Sequence, residues 1–291
     1  MANTDPSAPA EQSNHQYDWQ NPNHKSFDFG RVFGRSFTGI FANFKPLLIA
    51  CLITLALTLI LSIFTSDQLR ATMGDGSPED VLAATTTPSY WGWSLLGSIP
   101  AIFFALWLQL IVVNSAYAEF TQTPQQNAPL KYAIRFVLPM FVIAVIYTIV
   151  CTLGWVFLFI GFIFVWPGWA LAGPILVHEK KGIFGSIGEA WTLSKGSKRW
   201  IFLLLLILSI ISMVFYSVAM GIGLVSTGIN AFGGDTAATL NMSIGQQVIY
   251  GAVFGLANYF CYALFASGIT AAYVEIKTVK GGLASVGDVF A

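Results

Sequence analysis

Apolar residues along this chain gather into long unbroken runs, each close to the length of a membrane crossing. A helix rises about 1.5 Å per residue and the hydrocarbon core is roughly 30 Å thick, so one crossing needs about 20 apolar residues. Charge-free runs at residues 46–65, 91–118, 200–225 and 246–274 each predict one span. The interval 136–177 holds 42 residues without a charge. As one helix it would be roughly 63 Å long, about twice the membrane thickness. It therefore predicts two spans, 134–151 and 154–177, reversing at Cys151-Thr152-Leu153-Gly154, where glycine relieves the tightest backbone. The predicted fold is an all-α polytopic membrane protein with six transmembrane helices.

Two further segments have helical amphipathic spacing. Over 27–44, Phe29, Phe33, Phe37, Ile40, Phe41 and Phe44 recur every three or four residues, while Arg31 and Arg35 fall off that stripe. Over 183–198, Phe184, Ile187, Ala190 and Trp191 form the apolar stripe, and Lys195, Lys198 and Arg199 follow. Both predict helices lying in the membrane surface, aromatic side down, with cations at anionic headgroups. The domain plan is thus a polar tail at 1–26, a membrane domain at 27–282 and a short tail at 283–291.

The two surface helices also suggest duplication. Arg35-Ser36-Phe37-Thr38 aligns with Glu189-Ala190-Trp191-Thr192 at an offset of 154, and Ala116-Tyr117-Ala118-Glu119-Phe120 with Ala272-Tyr273-Val274-Glu275-Ile276 at an offset of 156. This predicts a parallel internal repeat, each unit a surface helix plus two spans. Small residues allow helices in lipid to approach closely. Gly154, Gly161 and Gly168 in the fourth span, and Gly251 and Gly255 in the sixth, therefore place those two helices at the bundle centre. Pro167-Gly168 and Gly173-Pro174 break the fourth span, freeing carbonyls that neighbours must satisfy.

Composition agrees with the pattern. Hydrophobic residues make up 55% of the 291 and charged residues only 10%, against about 25% charged in a soluble domain; mean hydropathy is +0.68. Fourteen Lys and Arg balance fourteen Asp and Glu, so no basic excess argues for nucleic acid. Positive residues accumulate on the cytoplasmic side of a membrane. With both termini cytoplasmic, thirteen of the fourteen cations fall on that side and only Arg70 outside. This arrangement predicts an even number of crossings with both ends inside.

Candidate chemistry is thin. Cys51, Cys151 and Cys261 lie singly in apolar runs and offer neither a disulfide framework nor a CxxC site. His15 and His24 sit in the polar tail, and His178 stands alone at the end of the fourth span. No metal, cofactor or nucleophile motif is present. No ionisable residue lies near the middle of a span, which disfavours proton-coupled transport. Glu119, Glu179 and Glu275 each end a span at one depth, near Arg135, Lys180, Lys181 and Lys277. They make a candidate interface cluster, with solvated ion pairs as the plain alternative.

Pro167-Gly168-Trp169 through Pro174-Ile175-Leu176-Val177, then Glu179, Gly182, Ala190-Trp191, Ser194, Gly196 and Arg199-Trp200, form a recurrent pattern. Over roughly 27–282 the chain resembles a six-span bacterial family that includes the membrane domain of some glycerophosphoryl diester phosphodiesterases. The resemblance implies the six-span fold. It does not carry over hydrolase activity, because those relatives hold their catalytic groups in a separate soluble domain.

The reading of the sequence is therefore a non-catalytic inner-membrane protein without cofactors. Its basic surface helices, through Arg31, Arg35, Lys195, Lys198 and Arg199, engage anionic lipid headgroups, a membrane-protein partner or a second copy. A permease for a neutral or amphiphilic solute is the alternative, motivated by the repeat and the Pro167-Gly168 break. A lipid-acting enzyme using Glu119, Glu179 and Glu275 is the third.

Overall fold

A computed structural model describes residues 27–41, 44–73, 83–123, 129–156, 160–227 and 243–280. The predicted terminal tails and both tail histidines lie outside them. Regular structure in the described residues is entirely helical: α1 Phe29–Phe41, α2 Phe44–Met73, α3 Pro88–Thr121, α4 Pro129–Val156, α5 Ile160–Trp169, α6 Ala172–Glu179, α7 Gly182–Leu193, α8 Lys198–Thr227 and α9 Ile244–Val279. Among the described residues, four stretches are long and apolar enough to cross a membrane: Pro88–Thr121, Lys131–Leu153, Lys198–Gly223 and Val248–Val279. The apolar part of α2, Leu47–Leu61, is shorter.

Local chemistry starts the long helices. Thr87 caps α3 by accepting the Tyr90 N–H, with Pro88 in the first turn, where its missing N–H costs nothing. Ser243 and Gln246 form a reciprocal capping box at the start of α9.

Several predicted boundaries move. The reversal expected at Cys151–Gly154 does not occur there, because α4 continues through these residues to Val156. One glycine does not end a helix in an apolar run, where every freed backbone group lacks a water partner. α3 runs past the predicted second span to Thr121 and α2 past the predicted first to Met73, so Asp67 and Arg70, expected in an outer loop, lie on α2. The fourth predicted span is two helices, α5 and α6, separated at Ala170-Leu171.

The centre of the bundle is α3 with α9, not the predicted fourth span with the sixth. The last helix touches α8, α1, α3 and α2, and Leu108, Leu110 and Ile111 of α3 are buried with Leu264 and Ala271 of α9. Gly251 and Gly255 do mark a close approach, but to α2 and not to the fourth span: an added Cβ at either would come within 2.7 Å of Leu59 or Leu55 of α2.

The first helix differs most from expectation. Its buried face is Val32, Arg35, Ser36, Gly39 and Ile40, whereas Phe33 and Phe37 are half-buried and Phe41 is exposed. A Cβ at Gly39 would overlap the Ser267 hydroxyl and come within 2.8 Å of the Phe120 ring. Gly268 of α9 lies as close to Ser36. The Ser267 hydroxyl donates to the Arg35 carbonyl at 3.3 Å. α1 is therefore docked into the bundle through small residues.

Candidate functional site

Polar chemistry concentrates where the end of α9 meets α1, α6 and α7. A helix advances about 100° per residue, so residues two apart face nearly opposite ways and residues four apart share a face. Glu275 therefore looks one way, and Tyr273 with Lys277 the other.

Glu275 is 1% exposed. Its carboxylate meets Arg35 at 3.4 Å and Arg31 at 3.7 Å, and accepts the Asp28 N–H at 3.3 Å. Arg31 also pairs with Asp28 at 3.3 Å. The Arg31 backbone N–H bonded to Asp28, with the Arg31 charge, holds that carboxyl below its ordinary value against the opposing effect of burial. Two guanidiniums face two carboxylates, so the cluster is neutral. Arg35, 5% exposed, also lies 5.8 Å over the Phe120 ring. Burying such charges costs several kcal/mol each unless they are paired, and here each is.

On the opposite face, Glu179 at the end of α6 takes Lys277 at 2.7 Å, Lys181 at 2.9 Å and the Tyr273 hydroxyl at 2.8 Å. Lys181 bridges onward to Glu189 of α7 at 3.3 Å. Burial pushes the Glu179 carboxyl up, but the hydrogen bonds from Lys277, Lys181 and Tyr273 outweigh it and hold it below its usual value. Beside it, His178 stacks on Tyr117 with ring centroids 3.7 Å apart, and its Nε2 is buried without a hydrogen-bond partner. Tyr117 and Tyr273, equivalent positions in the predicted repeat, lie 6.1 Å apart here.

The third component is the joint at Pro167-Gly168. An added Cβ at Gly168 would come within 2.6 Å of the Trp191 ring, so α7 crosses α5 where no side chain stands in the way. The Ser194 hydroxyl donates to the Gly168 carbonyl at 3.4 Å, satisfying a group that the end of α5 leaves without a helical partner. Lys198 sits 3.0 Å over the Trp191 ring. Gly196, at φ 87°, turns the chain between α7 and α8 in a conformation that favours glycine. Lys280, just past α9, donates to the carbonyls of Leu193 at 2.7 Å and Lys195 at 3.2 Å, closing the C-terminus of α7.

The predicted site residues thus divide. Arg35 does not face headgroups, since it is buried against Glu275, and Arg31 is shared between Glu275 and Asp28. Lys195 and Arg199 are exposed at the α7–α8 corner, while Lys198 is partly covered by Trp191. The carboxylates do not form one cluster: Glu179 and Glu275 occupy separate ion-pair networks on opposite faces of α9, and Glu119 is exposed at the end of α3. Gly168 serves as the seat for Trp191, and Pro167 beside it is buried. Sequence reasoning missed the parts played by Asp28, Tyr117, Tyr273 and Lys280. The four-residue spacing of Tyr273 and Lys277 was a usable clue to a shared partner.

The arrangement fastens helices. Each buried carboxylate is neutralised by cations. Among the described residues, no group of three His, Cys, Asp or Glu could hold a metal ion. Comparison with family models, curated proteins and solved structures gives no match to this chain.

Proposed function

We propose that this is a non-catalytic six-span protein of the bacterial inner membrane, with both termini cytoplasmic, whose charged end engages anionic lipid headgroups. In this reading α2 is the first span and α5 with α6 together make the fourth. The observation that carries it is the separation of the cations into two sets. Arg31, Arg35, Lys181 and Lys277 are committed to Asp28, Glu179, Glu189 and Glu275. Lys131, Arg135, Lys180, Lys195 and Arg199 are exposed where helices begin or end on that side. Kinship with the six-span family rests on Pro167, Gly168, Ser194 and Gly196 building one joint. The permease alternative loses its motive at the break, because Trp191 and Ser194 fill it.

A cation near an anionic membrane surface contributes about 1 kcal/mol, so three exposed ones change lipid selectivity on the order of a hundredfold at most. The test reconstitutes the full chain in mixed phosphatidylglycerol and phosphatidylcholine vesicles and compares immobilised spin-labelled lipid of each type. Selectivity for phosphatidylglycerol should fall in a Lys180→Gln, Lys195→Gln, Arg199→Gln variant. Equal selectivity in both proteins overturns the proposal. Orientation is checked by fusing fluorescent and export-dependent reporters at Ala291: only the fluorescent one should be active.

A further inference from the structure

We propose that α7 is a membrane wedge, with Phe184 inserted beneath the lipid phosphates of the leaflet that the charged end faces. The inference rests on the lipid-engaging reading and names the part of the lipid that the α7 corner contacts.

The helix has three sectors. Ser186, Ala190 and Leu193 are buried against the protein. At about 100° per residue, Ile183, Ile187 and Trp191 form the next flank, all half-buried, and Phe184 completes it while standing 79% exposed. Gly185, Gly188 and Thr192 make the remaining exposed face. The apolar sector is therefore continuous from the core outward and ends in an uncovered phenyl ring. Its orientation is set by Trp191, which seats on Gly168 of the spanning segment.

Connectivity fixes the depth. The helix lies between the end of α6 and the start of the spanning α8, joined by turns at Lys180-Lys181 and Ser194–Ser197. Its ends cannot leave the membrane surface. Lys198, 3.0 Å over the Trp191 ring, places a cation on this same flank, and exposed Lys180 and Lys195 bracket the helix. An aromatic residue between cations at the end of a span matches the layering of the interface: acyl carbon below, phosphate above. A water-facing phenyl ring has no such complement.

The experiment replaces Cys51, Cys151 and Cys261 by serine, introduces Phe184→Cys or Thr192→Cys, and attaches an environment-sensitive nitrobenzoxadiazole dye. Thr192 is a suitable control because it is exposed about 80° around the helix from Phe184, with its hydroxyl bonded back to the Gly188 carbonyl of the same helix. The labelled full chain is placed in phosphatidylglycerol and phosphatidylcholine nanodiscs. Dye at 184 should emit at shorter wavelength than dye at 192 and be quenched at least about twofold more strongly by acyl-chain spin labels. Dye at 192 should be quenched by aqueous iodide instead. Water-like emission at 184 with iodide quenching equal to 192 overturns the wedge. Shielding from both quenchers overturns it too, because a protein surface then covers Phe184. Insertion at 184 without phosphatidylglycerol selectivity leaves the wedge standing and rejects only the charge reading. Selectivity without insertion rejects the wedge alone.

Discussion

Replacing Glu275 by glutamine tests whether the α1–α9 contact is held electrostatically. The change keeps size and an acceptor for the Asp28 N–H, but leaves Arg35, 5% exposed, facing a neutral amide at the position of its 3.4 Å partner. Breaking a buried ion pair from one side costs about 3–5 kcal/mol. The lower end, about 3 kcal/mol, applies here because the amide oxygen still accepts hydrogen bonds. Arg35→Met should cost less, since Glu275 keeps Arg31 at 3.7 Å and the Asp28 N–H. The double variant Arg35→Met, Glu275→Gln should recover much of the loss, giving a coupling of about 2 kcal/mol. Unfolding in mixed micelles by titration with dodecyl sulfate, followed by circular dichroism, reads all four proteins. Glu119→Gln is the control: its residue is the repeat counterpart of Glu275 but exposed, so its effect stays within about 0.5 kcal/mol. Additive single effects, or a Glu275→Gln cost no larger than that of Glu119→Gln, would refute the reasoning.

Three further outcomes follow from the same contacts. Gly168→Ala puts a methyl within 2.6 Å of the Trp191 ring and should destabilise by about 1–3 kcal/mol, with altered tryptophan emission; unchanged thermal unfolding would contradict it. Lys280→Met removes the donor to the Leu193 and Lys195 carbonyls and should cost about 1 kcal/mol; hydrogen exchange over 193–198 should speed up while that of α3 does not. Acidification should loosen the α6–α9 contact: Glu179, held below 4.5 by Lys277, Lys181 and Tyr273, adds stability above that value and loses it as pH falls further. Glu179→Gln should remove this stage from a pH-dependent unfolding series.

The long apolar helices were legible because bilayer thickness imposes a length that composition displays directly, and the Gly251 and Gly255 seam because small residues mark close approach. The fastening of α1 was not. A charged residue on an amphipathic helix is assigned by default to water or headgroups, and the Phe29, Phe33, Phe37 stripe drew attention away from the Val32, Ser36, Gly39, Ile40 face that packs inward. Nothing local to Arg35 points to Glu275, which is 240 positions away. Glu179 was recognisable as a candidate, but its partners come from both α7 and α9, and only the fold brings them together. The Pro167-Gly168 break was visible, yet what occupies it depends on the crossing of α5 and α7.

The 240-residue gap between Arg35 and Glu275 also sets an order of assembly. Synthesis delivers the arginine 240 residues before its counter-ion, so α1 stays unfinished until α9 has been made. Chains stopped before Glu275 should leave the Phe29–Phe41 segment open to protease, and chains extended past α9 should protect it. Arrival of the distant carboxylate thereby becomes the event that seals α1.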